Sequence, residues 1–170
     1  MIPGISGMST DQVAALTTAQ IQALDNSDFR VLKTAQLAAL SSDQLAAIET
    51  RDLVVLNTAQ IQALPIYNSR GLLPAQIRAL STTQVKALTS DQLTGFSAQW
   101  LASMTPAQVA AIDATDLAEM STAQVDVLLA NTASLAALTT AQVRVLSVTN
   151  VDALTTAQMR ALTTRQLQVL

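Results

Sequence analysis

The chain of 170 residues contains no cysteine and no histidine. That removes disulfides and thiolate metal sites, and it removes Ser–His and Cys–His catalysis. Only two residues, Glu49 and Glu119, are glutamates, so a paired-carboxylate site would need acids brought together from separate parts of the chain. The expectation is a protein that is not an enzyme and carries no cofactor or metal. Charged residues make up 12% of the sequence, against roughly 25% in an average soluble protein. With a net charge of −3, the broad basic footprint of a nucleic-acid or acidic-lipid binder is missing. The longest apolar run lies around Val127–Ala130, far short of the roughly 18 residues of a spanning helix, which argues against membrane insertion. The opening MIPGISGM has neither a basic segment nor a long apolar one, so it does not read as a secretory signal. Glycine and proline number four each, and aromatic residues four in all.

What fills the chain is an eight-residue unit. TTAQIQAL at Thr17–Leu24 returns as NTAQIQAL at Asn57–Leu64, TTAQVRVL at Thr139–Leu146 and TTAQMRAL at Thr155–Leu162. Counted from Ser9 there are twenty octads, with a two-residue insertion at Leu129 and Ala130. Position eight is apolar in all twenty and position five in nineteen, Ser69 being the exception, while position seven is mostly small. Low-complexity disorder would not keep two columns so strictly.

The period selects the local structure. Along one continuous helix, eight residues at 3.6 per turn would move the apolar stripe by roughly 80° per unit, so no single face would stay apolar. Strands would want β-branched alternation and turn residues rather than Ala, Leu and Gln. One short helix per octad, restarted each time, satisfies the pattern. Position one is Ser, Thr, Asp or Asn in sixteen units, residues that accept a bond from the N2 or N3 amide. Position four is Gln in thirteen, the second half of a capping box. Positions eight and five then form the hydrophobic staple, and Pro74 and Pro106 fall at N1. Helices this short do not persist alone and must bury their apolar positions on neighbouring units.

The predicted fold is therefore an all-α solenoid of short capped helices in a single domain, residues 9–170, preceded by a capping segment at residues 1–8. From Asn57 onward Gln occupies position four in alternate units, which points to coils of two octads, sixteen residues each, with two helix environments. The pattern breaks at residues 65–72, PIYNSRGL, at Trp100, and at the insertion 129–130.

Five residues stand out as candidates for interaction. Arg70, Arg78 and Lys86 occupy position six in successive units and could track an anionic polymer, although isolated charges also keep an Ala-rich face soluble. Tyr67 and Trp100 could anchor a partner if exposed, or fill the irregular units if buried. Acids at positions one and four, Asp25/Asp28, Glu49/Asp52 and Asp113/Asp116, fit helix capping better than a calcium site, since each pair falls well short of the six to eight oxygens calcium takes.

MTPAQVAAI at Met104–Ile112 resembles the opening helix of the DNA-reading repeats of TAL effectors, without the second helix or base-reading loop of that family. The array is similar in architecture to the short-helix N-terminal domain of MgtE-type magnesium transporters. Across Ser9–Leu170, the repeated LTTAQ(V/I)xAL motif resembles bacterial exported proteins with haemagglutinin-like or adhesin-type descriptions. That likeness implies an extracellular or cell-surface location, while the composition itself leaves the cytoplasm open. The combined expectation is a non-enzymatic spacer, stalk or interaction module whose partners are proteins or further copies of itself. A self-assembling filament or surface-array subunit is the alternative, and an anionic-polymer binder a more distant one.

Overall fold

A computed structural model describes residues 4–66 and 71–170; Tyr67 and Arg70 lie outside the described residues. Every described element is helical, and no strand occurs among the described residues. The chain forms two compact units, Met1–Leu88 and Thr89–Leu170.

The first unit opens with a 3-10 turn at Ile5–Gly7. It continues with α1 (Thr10–Ala14), α2 (Thr18–Gln22), α3 (Asn26–Val31), α4 (Thr34–Ala38), α5 (Ser42–Ala47), α6 (Thr50–Leu53), α7 (Thr58–Ala63), α8 (Pro74–Ala79) and α9 (Thr82–Lys86). The second holds α10 (Ser90–Thr94), α11 (Ala98–Ser103), α12 (Pro106–Ala111), α13 (Ala114–Glu119) and α14 (Thr122–Leu129). It ends with α15 (Thr132–Ala137), α16 (Thr140–Arg144), α17 (Val148–Asp152), α18 (Thr156–Ala161) and α19 (Thr164–Leu167). Each described helix occupies one octad, as the caps dictate.

The cap geometry repeats almost unchanged. In α2 the Thr17 hydroxyl accepts the Gln20 amide at 3.2 Å, and Gln20 Oε1 accepts the Thr17 amide at 2.8 Å. Where position one is Lys33 or Leu73, the glutamine half survives alone, with Gln36 and Gln76 accepting those backbone amides. Pro74 and Pro106 sit at N1, where the missing N–H costs no bond. The residue at position eight leaves the helix in an extended conformation, as at Ile48, Leu64 and Ile112, and starts the next octad.

This corner recurs along the described octads, α14 excepted, and the circle closes only after three to four of them. In the first unit α1 packs on α4, α2 on α5, α3 on α6 and α4 on α7. The pairs α6–α8 and α7–α9 are also three octads apart, because residues 65–72 lie between α7 and α8. In the second unit the same step links α10 to α13, α11 to α14, α12 to α15 and onward to α16 with α19. The sixteen-residue coil is thus corrected: a turn takes between three and four octads. Nor does the alternation of Gln mark two environments, since Gln84 and Gln166 of the intervening class bond as Gln60 and Gln76 do.

The core is built from positions five and eight, with Phe29, Leu37, Leu45, Ile61 and Leu93 fully buried. Removing such side chains from water contributes about 1.5–3 kcal/mol each. Position seven explains its small residues here. A Cβ on Gly71 would lie 2.7 Å from Leu45 Cδ1, so at this point position seven sits directly on position five of the octad three before it. Gly71 also has φ +107°, a backbone that favours glycine. The insertion at Leu129 and Ala130 extends α14 to eight residues and buries Leu129 beside Leu128.

Candidate functional site

The most regular chemistry in the molecule is a ladder of position-four glutamines. Each side chain uses Oε1 for its own capping box, which leaves two Nε2 protons pointing away from the helix. Gln60 Nε2 donates to the carbonyls of Phe29 and Leu32, both at 2.9 Å. Gln76 donates to Leu45 and Ile48 at 2.9 and 2.7 Å, and Gln84 to Leu53 and Leu56 at 3.0 Å. In the second unit Gln124 reaches Thr94 and Phe96, Gln142 reaches Val109 and Ile112, and Gln166 reaches Leu135 and Leu138. The acceptors are carbonyls at the end of the helix four octads earlier, and those of Leu45, Leu53, Val109 and Leu135 also accept the backbone amide three residues on. One amide therefore starts its own helix and finishes another. Among the described residues no buried side-chain nitrogen or oxygen is left without a partner.

Sequence reasoning identified the capping box and missed the second half of the amide's work. A signal was present: position four is Gln thirteen times and Glu never. Glutamate closes a capping box equally well but has no N–H to donate.

Two clefts interrupt this regularity. One of about 320 Å³ is lined by Asp25, Asn26, Ser27, Arg51 and Asp52. Asp25 caps α3 through the Ser27 and Asp28 amides, and those bonds, the Asp28 amide foremost, lower its pKa. Asp52 is buried and its pKa is raised, chiefly by desolvation, with Arg51 opposing and Glu49 adding to the rise. Arg51 pairs with Glu49 at 2.8 Å and lies 3.7 Å from Asp52. With the Asn26 amide turned to suit its neighbours, its nitrogen donates to the Arg51 carbonyl and to Asp52 Oδ1. These contacts tie α3 to α6. The second cleft, about 230 Å³, opens beside the insertion, where Asn150 donates to Thr122 O and Asp126 Oδ1 and Gln158 to Leu129 O. Among the described residues no cluster of three acidic, His or Cys side chains could hold a metal ion.

The acidic pairs divide. Asp25 caps its helix through its side chain, whereas Glu49 and Asp113 make no side-chain cap bond. Of the interaction candidates, Arg78 and Lys86 are exposed on α8 and α9. Trp100 is only 3% exposed and packs edge-on against Phe96 with ring centroids 5.1 Å apart, so it is a core residue and no surface anchor. Tyr67 and Arg70 fall outside the described residues.

Short capped helices, turns of three to four octads and a glutamine ladder between turns define a helical repeat protein. Matches to the ALTTAQ repeat model at residues 4–26, 21–48, 70–98 and 131–170 cover more than half of the sequence, and the chain belongs to that family. No curated protein matches it. The unmatched stretches include Glu49–Asp52, Trp100 and the insertion at Leu129 and Ala130, where the ladder changes its chemistry.

Proposed function

We propose that the chain is a non-enzymatic scaffold, a spacer or protein-interaction module of a bacterial surface or secreted protein. The observation that carries this reading is where the polar chemistry is spent. The buried amides of Gln36, Gln44, Gln60, Gln76 and Gln84 are engaged in joining octads to one another. A fold whose buried polar groups serve its own repeat suits a part that can be lengthened octad by octad. The surface or secreted location draws its support from the likeness of the LTTAQ(V/I)xAL motif to exported adhesin-type proteins. Cell fractionation combined with protease treatment of intact cells tests it: release or surface cleavage is expected, and full retention in the cytoplasm overturns it. Of the anionic-polymer candidates among the described residues, Arg78 and Lys86 are exposed, but in a chain of net charge −3 that reading is not preferred.

A further inference from the structure

The reach of a position-four side chain follows its length. The glutamine amides that cross between turns land four octads back. Gln36 reaches Ile5 and Met8, Gln60 reaches Phe29 and Leu32, and Gln84 reaches Leu53 and Leu56. In the second unit Gln124, Gln142, Gln158 and Gln166 keep the same step, even across the insertion at Leu129 and Ala130.

Aspartate and asparagine are one methylene shorter, and they land elsewhere. Asp52 accepts the turned Asn26 amide at 2.5 Å, and Asp116 accepts the Ser90 hydroxyl at 2.5 Å. Asn150 donates to the Thr122 carbonyl at 3.1 Å. Asn26, Ser90 and Thr122 each stand at position two of the octad three before. Asn68, and Ile2 as the counterpart of Asp28, lie outside the described residues. An acid at position four also favours the positive end of its own helix. Charge does not account for the shorter step, however, because Asn150 is neutral and takes it too. Side-chain length is what Asp52, Asp116 and Asn150 share.

We propose that the position-four side chain selects the octad to which each turn is tied, and with it the local step of the turn. Glutamine draws its octad toward the fourth before it, and aspartate or asparagine toward the third. A turn of between three and four octads lies between these two ties, so each rung pulls it one way. The tie from Asp52 to Asn26 runs along the packing of α6 on α3. A glutamine in its place would address the carbonyls 31 and 28 residues back, the spacings used by Gln60 and Gln84. Those belong to Ile21 and Leu24, so α6 would be drawn toward α2. A scaffold of similar octads thereby carries local adjustments, each written in one residue. The proposal goes beyond the scaffold reading and does not depend on where the protein is located, so the fractionation result leaves it untouched.

Nuclear magnetic resonance on the full chain tests it with two substitutions that act in opposite directions. Asp52→Gln lengthens a short rung, and Gln60→Asn shortens a long one. In the Asp52→Gln chain the introduced amide is expected to show Overhauser contacts to Ile21 and Leu24 and none to Asn26, with new contacts between α6 and α2. In the Gln60→Asn chain the amide is expected to leave Phe29 and Leu32 for Thr34, at position two of the octad three before. Both amides should exchange with solvent about tenfold or more slowly than the exposed Gln22 amide. An amide that stays against Asn26 after Asp52→Gln overturns the proposal, as does one that keeps Phe29 and Leu32 after Gln60→Asn. Exchange as fast as that of Gln22 in either chain overturns it as well. If Gln60→Asn loses its helical circular dichroism, Asp52→Gln decides alone by the same outcomes.

Discussion

The two compact units follow one octad rule and break it with different residues. In Met1–Leu88, five position-four glutamines, from Gln36 to Gln84, carry their amides across to an earlier turn, and the column is interrupted by Asp28, Asp52 and Asn68. In Thr89–Leu170 the column is interrupted by Trp100, Asp116, Ser134 and Asn150. Each interruption has its own repair. Trp100 replaces a bond by a ring contact with Phe96, and Asp116 accepts the Ser90 hydroxyl at 2.5 Å. Asn150, one methylene shorter than Gln, turns to Thr122 O and Asp126. Where Ser134 stands the side chain is simply buried. The helices survive all four changes. The bond between turns is thus not needed to form an octad, and α13 forms with neither that glutamine bond nor a side-chain cap.

That independence can be strained at its weakest points, beginning where the effect is largest. Trp100→Ala removes a large buried ring from the second unit and leaves nothing to replace it. A loss of about 3–5 kcal/mol is expected by urea denaturation, with the octads on either side still helical at low denaturant. A loss below about 1 kcal/mol would show that the ring does not substitute for the ladder. Gly71→Ala places a Cβ against Leu45 at a backbone angle of φ +107°, in the first unit. The expected cost is about 1–3 kcal/mol, and a neutral result would mean that position seven does not press on position five.

Asp52 gives the smallest effect, and one whose sign depends on pH. Its pKa is raised in the folded state, so the ionised form costs stability, fully at neutral pH and progressively less as pH falls through that pKa. Asp25 runs the other way: its lowered pKa lends stability above the ordinary carboxylate range that is lost on acidification. Asp52→Asn, which keeps a polar side chain beside Asn26, is expected to raise the urea midpoint at pH 7, with the gain shrinking toward pH 4. A lower midpoint at pH 7 would show that the pairing with Arg51 outweighs burial.

The octad was legible because everything that makes it lies within eight residues. Ser or Thr at position one, Gln at position four and apolar side chains at positions five and eight state the helix, its start and its buried face without reference to the rest of the chain. The turn was not legible, because the angle added at each corner is a backbone property that the column pattern does not encode. The alternation of Gln after Asn57 invited a coil of two octads, yet the bonds of Gln84 and Gln166 are those of their neighbours. Trp100 stands among the interaction candidates with two readings, an anchor if exposed and a filler if buried, and its burial decides between them. The distant acceptors of the glutamines needed the fold, although the absence of Glu from position four had already marked the need for a donor.

The claim at the centre of this account is that the glutamine amide holds one turn to another while its oxygen merely starts a helix. Comparing Gln76→Glu with Gln20→Glu by urea denaturation isolates that amide, since both changes keep the capping-box oxygen. Gln76 donates to two carbonyls from a buried position, and exposed Gln20 to none among the described residues. Gln76→Glu is expected to cost about 3 kcal/mol or more, because it leaves two buried acceptors facing a carboxylate. Gln20→Glu should fall within about 0.5 kcal/mol of the unaltered chain. Equal losses at the two positions would contradict the ladder.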